Sequence, residues 1–213
     1  MLPTEIIALV CSISPGPVDL SQLHIEEREH IRGAVPKRQR EFVAGRSLAK
    51  SALSTLGIGN FPVLPNPDRS PRWPEGIVGS ITHDSDLCAV AVASTGSYRG
   101  IGIDIQEISA VREDLWPLFC SAPEVRRLER ASPHQKNLLA ALTFSAKESY
   151  FKAQFPIRKE WLEFLDFAVF PTADQFEIAP VNGPNSFVEA IIGHYGFDRG
   201  RVFTSVVLAS VRG

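Results

Sequence analysis

The chain has 213 residues, 22 Lys and Arg against 24 Asp and Glu for a net charge of −2, and 44% hydrophobic residues. So even a balance excludes the strongly basic footprint of a nucleic-acid binder, and no run approaches the ~18 apolar residues of a membrane span, so neither nucleic acid nor membrane is an expected partner. A chain this long buries roughly 70% of its unfolded surface, enough for one domain or two small halves. Cys11, Cys88 and Cys120 are odd in number and lack metal-ligand spacing, which reads as packed, reduced thiols in a cytoplasmic protein. The opening run to Cys11 is apolar but contains Glu5 and no basic segment, so it is expected to be a strand (residues 5–13) rather than a signal peptide.

Leu20 to Ile31 reads as a short helix with Leu23 and Ile31 inward. A long helix follows, with Pro36 in its first turn and Gly57 as its stop; Phe42, Ala49, Leu53 and Leu56 recur at helical spacing and face the core. Arg46 and Lys50 share another face of this helix, with Arg38 at its N-terminal end. From Arg32 to Lys50 there are six basic residues and one acidic. Such a run is ordinarily a solvated face; its functional alternative is a phosphate-binding face. Residues 58–76 are rich in Pro, Asn, Asp and Gly and read as loop. Ile77–His83 and Leu87–Ala93 read as strands, with His83 at a strand end, where a histidine is more often a structural hydrogen-bonder than a reactive group.

In Arg99–Glu107, Ile101, Ile103 and Ile105 alternate with Gly102, Asp104 and Gln106, the pattern of a buried strand with a carboxylate and an amide on one face. Val111–Arg130 reads as short helices with breaks near Pro117 and Pro123. Its exposed members, with Arg126, Arg127 and Arg130, are either a dock for a partner or an ordinary charged surface. His134–Lys152 is a second long helix with Leu138, Leu139, Leu142, Phe144 and Phe151 as its apolar set; Glu148 and Lys152 are four apart and share a face. Residues 164–178 and 186–210 alternate as strands, with turns at Asn182-Gly183-Pro184 and Asp198-Arg199-Gly200. A strand carboxylate, Asp104, and a helix carboxylate, Glu148, suit one hard cation between them. Magnesium takes one or two carboxylates and fills its other positions with water and phosphate oxygens, so the pair suggests a Mg²⁺–phosphate site.

Gly102-Ile103-Asp104 followed by Phe144-Ser145-Ala146-Lys147-Glu148-Ser149-Tyr150-Phe151-Lys152 resembles the paired signature of 4'-phosphopantetheinyl transferases, with 40 positions between Asp104 and Phe144. Glu41-Phe42-x-Ala44-Gly45-Arg46, Arg69-x-Pro71-x-Trp73-Pro74 and Gly79-Ser80-x-Thr82-His83 are similar to the Sfp/EntD-type subgroup, which serves siderophore and related peptide synthetases. The resemblance runs from about Arg38 to Lys152.

The resemblance implies an α+β fold, a pseudo-symmetric pair of similar halves with the active site between them: residues 1–98 binding the phosphates of coenzyme A, residues 99–213 binding Mg²⁺, carrying the catalytic groups and docking the carrier. No sequence self-similarity links the halves. It implies transfer of 4'-phosphopantetheine from coenzyme A to a serine of an apo acyl or peptidyl carrier protein, releasing adenosine 3',5'-bisphosphate, by a monomer. Arg38, Arg46, Arg69 and His83 become phosphate contacts with the Gly79–Ser80 backbone nearby, and Lys50 a looser addition. Asp104 and Glu148 become metal ligands, Lys152 reaches the reacting phosphate, and Glu148 takes the serine proton; Lys147 is a weaker candidate and a possible structural ion pair. Gln106 stands where much of the family has a third carboxylate ligand, and offers a neutral carbonyl oxygen or leaves the position to water. A Mg²⁺-dependent phosphohydrolase and a non-catalytic module binding coenzyme A or a carrier protein are the alternatives.

Overall fold

The computed structural model describes residues 2–181 and 191–210. The chain divides into two compact units: Pro3–Ile101 with the segment from Leu208 onward, and Gly102–Val207. Among the described residues no helix is long and apolar enough to cross a membrane.

The first unit sets one long helix on a three-stranded antiparallel sheet. Its elements are β1 (Ile7–Ser12), the short helix α1 (Ile25–Glu29), α2 (Pro36–Thr55), β2 (Ile77–His83) and β3 (Leu87–Ser94). The strand order is β1-β3-β2. Cys88 to Ala93 of the central strand are buried throughout, and α2 covers the sheet with Ala49, Ala52 and Leu53 packed against Val63, Val90 and Val92. Alanines at the contact let the helix axis approach the sheet closely. Pro36 lies in the first turn of α2, and Gly57 takes φ +79 just beyond its end, as expected of a stop.

Leu23 and Ile31 are buried with Phe42 and Val43, but the 20–31 stretch is not one helix. Asp19 Oδ1 accepts the Ser21 N–H (2.9 Å) and caps a 3-10 turn at Leu20–Gln22; the chain restarts as α1, where Glu27 Oε2 accepts the His24 N–H (3.0 Å). The other oxygen of that buried carboxylate, Glu27 Oε1, accepts the Val63 N–H (2.8 Å), tying the loop before β2 to α1. The same loop delivers Trp73, whose indole N–H donates to the Gly79 carbonyl (2.9 Å). A Cβ on Gly79 would stand 2.7 Å from the Ala91 oxygen and 2.8 Å from the Trp73 ring, so packing already demands glycine there.

The second unit contains most of β4 (Tyr98–Glu107), α3 (Ala122–Arg130), α4 (Pro133–Arg158), β5 (Phe167–Pro171), β6 (Gln175–Pro180), β7 (Ile191–Asp198) and most of β8 (Arg201–Ala209). Its sheet runs β4-β8-β7-β6-β5. The fold class is α+β. Pro123 does not break a helix; it sits in the first turn of α3, behind a capping box of Ser121 and Glu124. Helix α4 continues past Lys152 and through Pro156 to Arg158, ending at Lys159 in the left-handed region (φ 56). Aromatic packing accompanies the extra turns: Phe151 stacks on Phe155 at 5.0 Å and meets Trp161 edge-on at 5.1 Å. The β7–β8 hairpin turns on Arg199 (φ 45) and Gly200 (φ 76), the two positive φ values that a tight hairpin turn requires. The expected turn at Asn182-Gly183-Pro184, and the start of the last strand region at 186–190, lie outside the described residues.

The buried face of α4 is not the one its large apolar residues suggest. Ala140, Ala141, Leu142, Ala146, Tyr150 and Ala153 are buried, whereas Leu138, Leu139, Phe144 and Phe151 are only half-buried. The reason is closeness: a Cβ on Gly102 would collide with the backbone of Ser149 and Ala153. Ser145 and Ser149 reach Thr204 of β8 through their hydroxyls, at 2.9 and 2.6 Å.

Candidate active site

Asp104 sits near the middle of β4, 7% exposed, two residues beyond the glycine where α4 crosses the strand. That crossing lays the last turns of α4 along the Asp104 side of β4. Lys152 Nζ lies 2.7 Å from Asp104 Oδ1, 3.3 Å from the Ile103 carbonyl and 4.0 Å from Glu148 Oε2. The two carboxylates expected to share a cation are thus brought to one ammonium. Burial pushes the Glu148 carboxyl above its ordinary value; Lys152 opposes the shift and the Asp104 charge adds to it. Gln106, half-buried, donates its amide N–H to the Glu107 carbonyl (3.0 Å), leaving the carbonyl oxygen as its other polar atom. Glu107 does not join Asp104: its carboxylate accepts the Ser109 hydroxyl (2.5 Å) and lines a separate cavity with His134, Asn137 and Arg199. Among the described residues no three His, Cys, Asp or Glu gather as a metal cluster, so the oxygen donors here are a carboxylate pair and an amide.

Lys147, next to Glu148 in sequence, points the other way. It is fully buried and spends its three N–H groups on Glu124 Oε2 (2.7 Å), the Phe119 carbonyl (2.7 Å) and the Phe164 carbonyl (2.6 Å). Burial lowers its pKa while Glu124 works to raise it. Glu124, given no role from sequence, also accepts from the Ser121 hydroxyl (2.7 Å) and the Val169 N–H (2.8 Å), so this pair ties α3, α4 and β5 together. Arg127 is likewise committed: it donates to the Val169 carbonyl (2.6 Å) and lies over Phe170. Arg126 and Arg130 remain exposed, and so do Leu118 and Val125.

The basic residues of the first unit form a cluster around α2. Arg38 Nη1 lies 3.0 Å from His83 Nε2, and Glu41 Oε2 is within 3.5 Å of Arg38 and 3.6 Å of His83. Arg46, two turns after Arg38, is 9% exposed; its guanidinium lies over the Phe42 ring at 4.3 Å, and its Nε has no hydrogen-bond partner. Burial lowers Arg46 to about 10, with Glu27 opposing and Arg38 adding, so it stays charged at neutral pH. Arg69 is exposed on a turn closed by Asn66 and Ser70 and takes φ +69. Ser80 is buried on β2. Of the cations read from the sequence, Arg38 and His83 are thus neighbours, Arg46 is near enough to Arg38 to feel its charge, and Lys50 is exposed farther along α2. The Arg46–Phe42 stack joins two residues that the sequence assigns to different faces of α2, and the part of Glu41 was not legible, because an acid in a basic run reads as incidental.

A unit with a carboxylate pair and a lysine, and another with one buried arginine and an exposed arginine against a histidine, suit a phosphate-handling enzyme. Residues 26–93 match the 4'-phosphopantetheinyl transferase N-terminal domain and residues 100–205 match the 4'-phosphopantetheinyl transferase superfamily. The chain is 33% identical over 207 residues to 4'-phosphopantetheinyl transferase Svp of Streptomyces mobaraensis, covering 91% of this chain and 82% of that protein. It is 30% identical to 4'-phosphopantetheinyl transferase PptT of Mycobacterium tuberculosis, over 86% of this chain and 85% of that one. To enterobactin synthase component D of Salmonella typhimurium it is 36% identical over 62% of this chain and 54% of that protein. The chain belongs to the 4'-phosphopantetheinyl transferase superfamily and is a transferase of that class.

Proposed function

We propose that this transferase moves the 4'-phosphopantetheine of coenzyme A onto the serine hydroxyl of an apo acyl or peptidyl carrier protein and releases adenosine 3',5'-bisphosphate, in a Mg²⁺-dependent reaction. The observation that carries the site assignment is the meeting of Asp104, Glu148 and Lys152 at one ammonium. The donor set fits a hard cation, being made of oxygens with two carboxylates among them; Asp104, Glu148 and the Gln106 carbonyl would hold Mg²⁺. When bound, the ion offsets the negative charge that gathers on the phosphate oxygens.

The chain's own groups do the rest. Glu148 is a suitable base for the serine proton, since burial has moved its carboxyl upward, toward working pH. Lys152 supplies positive charge to the transferring phosphate. In the 1–98 half, Arg38, Arg46, Arg69 and His83 hold the phosphates of coenzyme A, with forked guanidinium donors matching phosphate oxygens. Gly79 and Ser80 lie alongside on β2. In the 99–213 half, Leu118, Val125, Arg126 and Arg130 of the α3 region offer the carrier protein an apolar and basic face. The protein acts as a monomer.

The test is mass spectrometry of an apo peptidyl carrier domain incubated with the protein, coenzyme A and Mg²⁺. Gain of one phosphopantetheine supports the reading. Hydrolysis of coenzyme A with an unmodified carrier points instead to a phosphohydrolase, and binding without either product to a non-catalytic module.

A further inference from the structure

Glu41 is an acid inside a cationic cluster. It is 8% exposed; its Oε2 faces Arg38 Nη1 at 3.5 Å and His83 Nε2 at 3.6 Å, and its Oε1 is 4.0 Å from Lys37 Nζ. Arg38 Nη1 also lies 3.0 Å from His83 Nε2. A guanidinium only donates, so Nε2 accepts in that contact and the ring proton is on Nδ1. A phosphate oxygen only accepts as well, so a histidine in this form offers it nothing from Nε2. For His83 to donate to a phosphate from Nε2, on the side that Arg38 occupies, Nε2 must take a proton, and Arg38 Nη1 must then turn aside, because two donors cannot face each other. Cys88 stands opposite His83 on β3, and Asp84, the next residue, has Oδ1 turned to the Ser85 N–H (2.7 Å). Glu41 Oε2 is an acceptor that faces both atoms.

We propose that Glu41 is a positioning residue for coenzyme A. Its carboxylate receives the Arg38 N–H that His83 gives up and holds the guanidinium clear of Nε2, so that Nε2–H and the other Arg38 N–H groups are presented to one phosphate. Nε2 takes its proton from solvent. The inference rests on the assignment of Arg38 and His83 to the phosphates of coenzyme A.

The experiment uses the full-length protein. Nitrogen-15 spectra of the His83 imidazole should show Nε2 as an acceptor in the unliganded protein and as a donor at saturating coenzyme A. In Glu41→Gln, coenzyme A should bind about tenfold or more weakly by calorimetry, with Nε2 remaining an acceptor in a larger share of molecules. In a His83→Ala background the same substitution should change affinity by less than about twofold, and Glu41→Asp should recover part of the loss. The proposal is overturned if Nε2 already carries the proton in unliganded wild-type protein, a measurement that stands even if Glu41→Gln does not fold. It is equally overturned if the Glu41→Gln penalty persists undiminished without His83, which would make Glu41 merely structural. If Arg38→Ala and His83→Ala both leave coenzyme A affinity intact, the phosphate assignment itself falls.

Discussion

A Cβ on Gly102 would run into the carbonyl oxygen of Ser149. Strand β4 and helix α4 therefore meet backbone to backbone, and that contact sets the depth at which Asp104 faces Glu148 and Lys152. Gly102→Ala must push the two elements apart. It should cost about 3 kcal/mol or more in urea unfolding, and lower turnover per folded molecule because the carboxylates separate. Gly59→Ala, where an added Cβ meets open space, should stay within about 0.5 kcal/mol of wild type.

Asp104 and Lys152 make a second test. Asp104→Asn keeps shape and removes charge, so the circular dichroism melt should barely move while turnover falls about a hundredfold or more. Lys152→Ala removes the ammonium 2.7 Å from Asp104. Calorimetry should then show tighter Mg²⁺ binding together with slower turnover. Wild-type turnover in Lys152→Ala would reduce the lysine to a counter-ion.

The raised Glu148 carboxyl has a signed consequence for stability. The folded state holds the proton to higher pH than the unfolded chain, whose ordinary value is 4.5. Between those two values the folded state binds more protons, so this residue's contribution to stability is present below 4.5 and is lost as pH rises through the folded value. Glu148→Gln abolishes that dependence. Urea midpoints measured from acid to neutral pH should fall less steeply in the variant than in wild type, and turnover of the variant should be lost at every pH. Parallel midpoint curves would mean that Glu148 is not desolvated in solution.

Gln106 is the neutral member of the oxygen set. Gln106→Glu adds a charge on the Asp104 face and replaces the N–H that now meets the Glu107 carbonyl, turning the new carboxylate away from it. The Mg²⁺ concentration for half-maximal activity should drop. Glu107→Ala should matter less than Asp104→Ala, since Glu107 is occupied with Ser109. A titration in which Glu107→Ala moves the midpoint sharply and Gln106→Glu does not would reassign the ligand.

Arg46 and Arg69 should separate binding from folding. Each charge-assisted phosphate contact is worth roughly 1.5–3 kcal/mol, so either alanine variant should weaken coenzyme A about tenfold or more. Exposed Arg69 should go without loss of stability. Arg46, buried over Phe42, should cost stability as well. Dephospho-coenzyme A identifies the residue on the 3'-phosphate, whose substitution will have no effect with that analogue; unchanged coenzyme A affinity in both variants would return α2 to a solvated basic face.

The chain's local grammar was readable and its cross-element pairings were not. Alternation in β4 placed Asp104 and Gln106 on one face and Glu107 on the other, and the start of α2 at Pro36 follows from proline's place in a first turn. The buried face of α4 escaped because its contact with β4 selects Ala and Ser, which carry little hydrophobic signal, and leaves Phe144 and Phe151 half-exposed. Lys147 with Glu124, and Arg38 with His83, are partners joined by the fold across separate elements, and no spacing rule reaches them. Helix α4 runs beyond the expected end at Lys152 and takes Pro156 inside it, with Phe151, Phe155 and Trp161 packing around the extra turns.

The chain passes from the first unit to the second between Ile101 and Gly102 and returns between Val207 and Leu208, on strands that are neighbours in one sheet. Ser210 then donates its N–H to the Ser97 carbonyl (3.0 Å) and its hydroxyl to the Thr95 carbonyl (2.8 Å), sealing the end of the first unit with residues from beyond the second. Recombination between relatives must respect this. A chimaera spliced once, near residue 101, sets the closing segment of one parent against the β3–β4 turn of the other, whereas one spliced at both crossings exchanges the second unit whole.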